Sequence, residues 1–347
     1  MPNAIRRTSV ARTVVTGHAG FIGFHLAQRL LNQGNVVLGI DGMTDYYDPQ
    51  LKRDRLAQLR RTENFTHEER MLEHRDEIVA LILRFQPDAI VHLAAQAGVR
   101  YSLENPAAYI ESNVLGTFTV LEAARQAKPK HLLMASTSSV YGGNQKVPFA
   151  ETDRTDAPIS LYAATKKAGE DLAHSYSSLH QLPTTAFRFF TVYGPWGRPD
   201  MALFKFVDAI QHGRAIDVYG NGEMRRDFTY IDDLVDGIVG LLDRPPALGR
   251  PVSQLDSLSA VAPFRSVNIG GGNPVGLMDF IAAIEDSLGQ KARANLLPMQ
   301  TGDMVETYAE PALLEALIGR APRTPLSQGV REFVNWYNNY CAGFREE

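Results

Sequence analysis

The sequence predicts an α/β fold built on a doubly wound parallel sheet, with a smaller C-terminal lobe. Short apolar stretches of strand type alternate with helical stretches through residues 13–190, and such alternation is typical of parallel sheets with helices on both faces. A glycine-rich turn joins the first strand to the first helix, and beyond residue 194 the alternation weakens. We therefore expect one domain over residues 10–190 and a lobe drawn mainly from residues 191–347, in which the chain can cross back to the first domain.

The first strand, turn and helix match a dinucleotide-binding unit, the start of a Rossmann domain. Three glycines stand between the strand at 13–16 and the helical pattern at 24–31: Gly17, Gly20 and Gly23. Glycine lets the backbone turn tightly and approach a pyrophosphate at the helix N-terminus. The next strand, residues 36–40, is followed by Asp41. Asp41 suits a hydrogen bond to the adenosine ribose and would repel a 2′-phosphate, which predicts NAD rather than NADP. The alternative role for Asp41 is structural: its side chain would start the turn at Gly42.

The remaining elements follow from periodicity and from proline and glycine positions. Three more buried strands are predicted, at residues 89–95, 131–136 and 184–190. Helices are predicted at residues 51–61, 76–85 and 105–127 and around Tyr162. Five basic residues at 51–61 predict a surface helix with a charged face. Residues 244–263, which contain proline and serine, predict a surface loop.

Composition narrows the class of protein. The 347 residues are 44% hydrophobic and 21% charged, with a net charge of −4, so we expect no nucleic-acid partner. The single cysteine, Cys341, excludes an intrachain disulfide and fits a reducing compartment. Residues 1–12 lack the apolar stretch of a signal peptide, and no apolar run is long enough to span a bilayer. We therefore expect a soluble cytoplasmic protein with no membrane partner and no metal site.

Tyr162 and Lys166 form a candidate catalytic pair. They are four residues apart in a segment of helix-forming composition, so their side chains share one face. A phenol has a pKa of about 10, and a nearby ammonium lowers it by favouring the phenolate. Such a pair can take a proton from a substrate hydroxyl. The same spacing also fits a solvated helix face, so the interpretation depends on what lies upstream.

Several stretches together resemble a known family. The TGHAGFIG motif at 16–23, the Tyr162/Lys166 pair and Thr137, which stands 25 residues before Tyr162, resemble the extended short-chain dehydrogenases/reductases that act on nucleotide sugars. Longer stretches strengthen the resemblance: HLAAQAGVRYS at 92–102, RFFTVYGPWGRPDM at 188–201 and RDFTYIDD at 226–233. The similarity covers most of the chain up to about residue 243. It implies a member of the NAD-dependent epimerase/dehydratase family.

The resemblance also implies roles for individual residues. Tyr162 would be the base, Lys166 would lower its pKa and bind the nicotinamide ribose, and Thr137 would hold the same substrate oxygen. The implied cofactor contacts are Gly17, Gly20, Phe21, Ile22, Gly23, Asp41, Ala94, Ala95, Gln96, Asn113, Tyr162 and Lys166. The implied substrate contacts are Arg100, Thr137, Ser138, Ser139, Tyr162, Thr191, Arg198, Tyr219, Arg226 and Asp303. Glu73 stands where relatives carry an adenine-reading aspartate.

The substrate implied is a UDP-sugar with an acidic C6 group. Arg226 would bind its diphosphate and Asp303 its uridine ribose, while Tyr219 would either stack near the uracil or belong to the core. Thr191 and Arg198 are predicted to hold a C6 carboxylate, Arg198 through charge-assisted hydrogen bonds. The expected reaction is therefore 4-epimerisation of UDP-glucuronate to UDP-galacturonate through a 4-keto sugar. The family also suggests a homodimer.

Three alternatives stay open. UDP-glucuronate decarboxylases carry glutamate where this chain has Ser139, which argues against decarboxylation. UDP-glucose 4-epimerases carry asparagine where this chain has Thr191. A cofactor-binding protein without turnover is the third reading, although such proteins generally lose the tyrosine–lysine pair.

Overall fold

The computed structural model describes residues 11–300 and 304–343. Its strands are β1 (Arg12–Thr16), β2 (Val36–Asp41), β3 (Phe65–Glu69), β4 (Ala89–His92), β5 (His131–Thr137), β6 (Thr184–Phe189), β7 (Thr191–Tyr193), β8 (Ile216–Val218), β9 (Arg225–Tyr230), β10 (Phe264–Ile269), β11 (Pro274–Gly276), β12 (Ala294–Leu296) and β13 (Glu306–Thr307). Its helices are α1 (Phe21–Asn32), α2 (Pro49–Leu59), α3 (Arg75–Phe85), α4 (Tyr101–Glu104), α5 (Pro106–Tyr109), α6 (Gly116–Ala127), α7 (Leu161–His180), α8 (Ala202–Gln211), α9 (Ile231–Leu242), α10 (Leu277–Leu288), α11 (Ala312–Ile318) and α12 (Leu326–Gly343).

Seven strands form one sheet in the order β10-β6-β5-β4-β1-β2-β3, and every pairing in it is parallel. This confirms the predicted doubly wound α/β fold. Neighbouring residues of each central strand pack on opposite faces: Val15 and Val91 join α1 and α9, whereas Val14 and Ile90 join α3 and α6. Burial on both faces explains why these strands are continuous apolar runs in the sequence.

Two strands of this sheet are not predicted from the sequence. β3 reads FTHEE and lies at the sheet edge, where polar residues are tolerated. β10 is buried throughout, yet it contains Arg265 and Asn268. Nε of Arg265 lies 2.7 Å from Oδ1 of Asp256, a residue of the 244–263 loop, and both side chains are almost fully buried. This ion pair allows a strand with polar and charged residues to be buried at the other edge of the sheet. It also anchors the loop that the sequence predicts as surface.

β10 brings the chain back to the first sheet after it has contributed to the second lobe. That lobe contains a small sheet in which β9 pairs with β7, β11 and β13, and a second pair, β8 with β12. Helices α8, α10 and α12 pack together around it, with Phe280 and Phe333 in the common core.

The predicted helix at 105–127 is interrupted. A π-helical segment, Ile110–Leu115, separates α5 from α6. Such segments insert an extra residue into a helical turn and are frequent near functional sites. No helix within residues 11–300 and 304–343 is long and apolar enough to cross a membrane.

Candidate active site

A cleft of about 990 Å³ opens at the carboxyl ends of the sheet strands. Ligands of doubly wound sheets bind at this edge, where the strand order reverses. Residues at or just past the ends of five different strands line the cleft: Gly17, Asp41, Ala94, Thr137 and Thr191. The volume is near the upper end of the range for small-molecule sites. The second lobe closes the cleft from the other side with Tyr219 and Arg226.

The glycine-rich turn fits the pyrophosphate of a dinucleotide. Gly17 has φ +74°, and a Cβ there would lie 2.7 Å from the Ala94 nitrogen. A Cβ on Gly23 would lie 2.0 Å from the Gly17 carbonyl oxygen. α1 starts after Gly20 without a side-chain cap, so its first N–H groups are available to an anion. Phe21 and Ile22 line the same wall.

The Asp41 carboxylate makes the turn-starting contact and is placed so that the ribose role remains open to it. Oδ1 accepts a hydrogen bond from the Met43 nitrogen at 2.8 Å, which is the turn-starting role, and Oδ2 accepts one from the Ala19 nitrogen at 3.1 Å. The residue also lines the cleft beside the glycine-rich turn. Carboxylate oxygens accept more than one hydrogen bond, so Asp41 retains capacity for a ribose hydroxyl. Glu73 lines the cleft further along the same wall.

Ala94, Ala95 and Gln96 line the cleft, but Asn113 is not among the lining residues. It lies in the π-helical segment and is buried. Its Oδ1 accepts a hydrogen bond from the Gln96 nitrogen at 2.8 Å, and its Nδ2 donates to the Gln96 oxygen and to Thr165 Oγ1, both at 3.0 Å. Asn113 therefore fixes the Gln96 backbone against α7 from behind the cleft wall.

Tyr162 and Lys166 both line the cleft on the first turns of α7. Ser160 caps this helix by accepting a hydrogen bond from the Ala163 nitrogen at 3.1 Å, which fixes where the helix begins. The Tyr162 and Thr137 side chains line the same part of the cleft, and the Thr137 hydroxyl is near enough to lower the pKa of the phenol. The tyrosine ring packs edge-on against Tyr109, with centroids 6.1 Å apart. The three predicted catalytic residues thus meet in one place.

The pKa values at this site differ from the sequence expectation. Burial raises the pKa of Tyr162, and the Thr137 hydroxyl and the charge of Arg198 oppose the rise only in part. Burial also lowers the pKa of Lys166 to about 8, against the charge of Glu170. The pKa of Tyr162 is therefore raised rather than lowered as expected, because the cost of burying a phenolate outweighs the opposing effects of Thr137 and Arg198.

A buried ion pair beneath these residues is not predicted from the sequence. Ser136, which precedes Thr137 on β5, donates a hydrogen bond of 2.5 Å to the Glu170 carboxylate. Glu170 lies one helical turn after Lys166 and pairs with Arg188 of β6. The signal that could have found the pair is an arginine inside an apolar strand, together with an acid four residues after the lysine.

Arg198 is not an exposed loop arginine, since only 21% of its side chain is accessible. It lines the cleft with Thr191 and forms an ion pair with Asp200. Ser138 and Ser139 lie on a 3₁₀ turn just past Thr137. Both also line the cleft, where they supply hydroxyl groups and no acid.

Helix α2 is not the charged surface helix that the sequence predicts. Lys52 and Arg55 are buried. Arg55 donates hydrogen bonds to the Ala19 oxygen at 2.9 Å, the Tyr47 hydroxyl at 2.8 Å and the Trp196 oxygen at 2.6 Å. It therefore joins the glycine-rich turn to the loop that carries Arg198. Leu51, Arg55 and Leu59 are spaced by four, and this places the arginine on the apolar face.

Arg100 and Tyr219 meet at the part of the cleft formed by the second lobe. The guanidinium carbon of Arg100 lies 4.7 Å from the centroid of the Tyr219 ring. Arg226 lines the cleft from β9, and its Nη1 donates to the Val305 oxygen at 3.1 Å. Asp303 lies outside the described residues. Within residues 11–300 and 304–343, no group of three or more side chains could hold a metal ion.

Residues 13–253 match the model of the NAD dependent epimerase/dehydratase family. The chain belongs to this family. The match, together with the glycine cradle and the Tyr162–Thr137–Lys166 arrangement, confirms the predicted NAD-dependent epimerase fold and activity class.

Other members of the epimerase family resemble the whole chain. A protein of Rhizobium meliloti named probable UDP-glucuronate 4-epimerase is 56% identical over 333 residues, covering 95% of this chain and 98% of that protein. UDP-glucuronate 4-epimerase 3 of Arabidopsis thaliana is 43% identical, covering 95% of this chain and 77% of that protein. The crystal structure of UDP-glucuronic acid 4-epimerase from Bacillus cereus with UDP-glucuronic acid and NAD is 31% identical with a TM-score of 0.85, covering 95% and 99%.

Proposed function

We propose that this protein interconverts UDP-glucuronate and UDP-galacturonate by inverting C4 of the sugar with NAD as cofactor. One observation carries the proposal: a tyrosine–threonine pair and a fixed arginine, Arg198, line the same cleft as a glycine turn shaped for a dinucleotide. The first pair suits a sugar hydroxyl and the arginine suits a sugar carboxylate. The names of several relatives point to the same acidic sugar.

Tyr162 accepts the proton of the sugar 4-hydroxyl, and Thr137 orients that oxygen through its own hydroxyl. NAD, when bound, supplies reversible two-electron oxidation of the carbon that bears this hydroxyl. Lys166 is placed by α7 to hold a ribose hydroxyl and to favour the phenolate. The 4-keto sugar then rotates in the cleft and presents the opposite face of C4 for reduction. Tyr162 returns the proton to the C4 oxygen, and the configuration at C4 is thereby inverted.

Thr191 and Arg198 hold the C6 carboxylate. A 4-keto uronate is a β-keto acid, which loses CO₂ when its C5–C6 bond aligns with the π system of the carbonyl. Holding the carboxylate away from that alignment is therefore a requirement for epimerisation. Ser138 and Ser139 place no acid beside the sugar, which also disfavours decarboxylation and dehydration.

The nucleotide half of the substrate extends toward the second lobe. Arg226 binds the diphosphate, since a guanidinium matches phosphate oxygens. Tyr219 stacks near the uracil, and Arg100 above its ring adds a positive charge on the same side. Asp303 holds the uridine ribose.

We also propose that the protein is a cytoplasmic homodimer. Large apolar side chains are exposed on neighbouring elements of one domain: Leu103 on α4 at 70%, Leu115 in the π-helical segment at 48% and Leu179 on α7 at 73%. A second copy that packs on these elements would cover them. A single cysteine suits a reducing compartment.

Incubation of purified protein with UDP-glucuronate and NAD, followed by identification of the sugar nucleotide, tests the proposal. UDP-galacturonate is the expected product, and UDP-pentose with CO₂ as the sole product would make it wrong. Tyr162→Phe is expected to reduce turnover by about 10²- to 10⁴-fold while NAD still binds. Unchanged turnover in this variant would remove the assigned base.

Arg198→Ala separates the acidic sugar from a neutral one. We expect turnover of UDP-glucuronate to fall much further than turnover of UDP-glucose, because only the first presents a carboxylate. Equal losses for both sugars would favour a UDP-glucose 4-epimerase.

A further inference from the structure

The guanidinium of Arg198 is held along one edge by a carboxylate two residues away. Nε donates to Asp200 Oδ1 at 2.9 Å, and Nη2 donates to Asp200 Oδ2. A guanidinium has five N–H groups, so three remain on Nη1 and Nη2 after this pairing. The side chains of Arg198 and Asp200 are 21% and 25% accessible, which makes this pair less screened by solvent than a surface pair.

Tyr46 provides a second contact that holds Asp200. Its hydroxyl donates to Asp200 Oδ2 at 3.1 Å, and its ring lies under Arg198, with the guanidinium carbon 5.7 Å from the centroid. The backbone of the same loop is fixed by Arg55 through the carbonyl oxygens of Trp196 and Gly197. Both the main chain and the guanidinium are thus restrained before any ligand arrives.

An acid next to an anion-binding arginine requires an explanation. A carboxylate at Asp200 weakens the attraction of Arg198 for a second anion, since like charges repel. It would be a poor choice if the arginine served affinity alone. It is a good choice if orientation matters more than affinity, because a bidentate pair fixes the plane of the guanidinium.

We propose that Asp200, supported by Tyr46, is a positioning residue that fixes the orientation of Arg198 and thereby keeps the sugar carboxylate on the substrate during turnover. The proposal rests on the proposed function, because it concerns the 4-keto uronate. Asp200 touches neither the reacting carbon nor the cofactor in this account; it acts through Arg198.

The consequence of losing this restraint is a change of product. When the carboxylate of the 4-keto sugar rotates, the C5–C6 bond breaks and its electron pair passes into the C4 carbonyl as an enolate. CO₂ leaves, and a proton from solvent adds at C5 to give a 4-keto pentose. No oxidant or reductant beyond that of the proposed reaction is needed.

Asp200→Asn tests the proposal, since asparagine keeps the size of the side chain but loses the charge and one acceptor. Purified wild type and variant are incubated with UDP-glucuronate and NAD, and UDP-galacturonate, CO₂ and pentose nucleotides are quantified. We expect the ratio of decarboxylated to epimerised product to rise by about ten- to a hundredfold, with KM for UDP-glucuronate unchanged or lower because the competing charge is gone. A raised KM with an unchanged product ratio would overturn the proposal.

Asp156→Asn is the matched control. Asp156 also pairs with an arginine two residues away, Arg154, through Nε and Nη2, but on an exposed surface. This variant should keep the wild-type product ratio.

Tyr46→Phe is the second test variant if Asp200→Asn does not fold. It should raise the ratio of decarboxylated to epimerised product by a smaller factor, and an unchanged ratio would overturn the role of the Tyr46–Asp200 hydrogen bond.

Failure of the function and failure of the inference give different results. If wild type forms no UDP-galacturonate, the proposed function is wrong. If wild type epimerises and folded Asp200→Asn gives the same product ratio, Asp200 has no positioning role.

Discussion

Glu170 and Arg188 form a two-point ion pair directly beneath the candidate active site. Nε and Nη2 of Arg188 each lie 2.9 Å from a different oxygen of the Glu170 carboxylate. The two side chains are 3% and 5% accessible. The pair connects α7, which carries Tyr162 and Lys166, to β6. It thus fixes the position of α7 relative to the sheet.

Removing one member of this pair should destabilise the protein strongly. Glu170→Gln leaves the Arg188 charge buried without its counter-ion, and such changes cost about 3–5 kcal/mol. The free energy of unfolding, measured by urea titration, should fall by that order. The double variant Glu170→Gln/Arg188→Met should lose less than the sum of the single variants, because no unpaired charge remains.

The exposed pair Arg154–Asp156 provides the control for this experiment. Asp156→Asn should change the free energy of unfolding by less than about 0.5 kcal/mol. Equal costs for the buried and the exposed pair would contradict the account of Glu170.

Glu151 gives the protein a pH-dependent stability. Burial raises its pKa from 4.5 to about 7, against the hydrogen bond from the Asn268 nitrogen and the charge of Arg188, while the charge of Glu310 adds to the rise. The folded state therefore binds the proton more tightly than the unfolded state. This contribution to stability is fully present below pH 4.5 and is lost as the pH rises to about 7.

Glu151→Gln should remove this dependence, since glutamine resembles the protonated acid. The difference in unfolding free energy between variant and wild type should move in favour of the variant by about 3 kcal/mol from pH 4.5 to pH 8, with 1.4 kcal/mol per pKa unit. Urea titrations of both proteins across this range give the difference, in which the other titrating groups cancel. A constant difference would show that folding does not raise the pKa of Glu151.

Arg55 should affect the cofactor and the sugar together. Arg55→Lys keeps the charge but cannot reach Ala19, Tyr47 and Trp196 at once, and lost hydrogen bonds to charged groups cost about 1.5–3 kcal/mol each. We expect weaker NAD binding by calorimetry and a higher KM for UDP-glucuronate. Arg53→Lys on the exposed side of the same helix should change neither quantity. An effect confined to one ligand would mean that Arg55 does not connect the two loops.

Gly23→Ala should impair NAD binding while the sheet remains intact. The new Cβ would lie 2.0 Å from the Gly17 oxygen, so the glycine-rich turn must shift. We expect the affinity for NAD to fall by at least about tenfold, or 1.4 kcal/mol, measured by calorimetry on protein freed of nucleotide. In Gly143→Ala the nearest atom would lie 3.8 Å away, so that variant should bind NAD as wild type does. Normal binding by Gly23→Ala would exclude the turn as the pyrophosphate site.

The sequence predicts five of the seven strands in the main sheet because β1, β2, β4, β5 and β6 are buried on both faces and therefore apolar. β3 and β10 escape this criterion for different reasons. β3 is a polar edge strand, whereas β10 hides a buried arginine whose partner, Asp256, lies in a loop. A prediction from the sequence pattern takes a charged residue to be exposed. That assumption fails for Arg265, because its charge is paired with Asp256 of a different segment.

The same limit applies to the site. Tyr162, Lys166, Thr137 and Asp41 can be identified because their spacing from strands and glycines is local in sequence. Asp200 and Glu170 can be named only when the partner of each is known. Arg55 is an intermediate case: its spacing from Leu51 and Leu59 marks the apolar face, but its four acceptors are 8 to 142 residues away.

The position of β10 has a consequence for biosynthesis. β6 pairs with β5 on one side and with β10 on the other, and β10 ends at Ile269. In a nascent chain that has emerged only as far as α9, β6 would be an exposed edge strand. Its unpaired backbone N–H and C=O groups could then pair with strands of other chains. Ribosome-bound intermediates of this length are where a chaperone would be needed most, and premature termination before residue 264 should yield insoluble material rather than a smaller working enzyme.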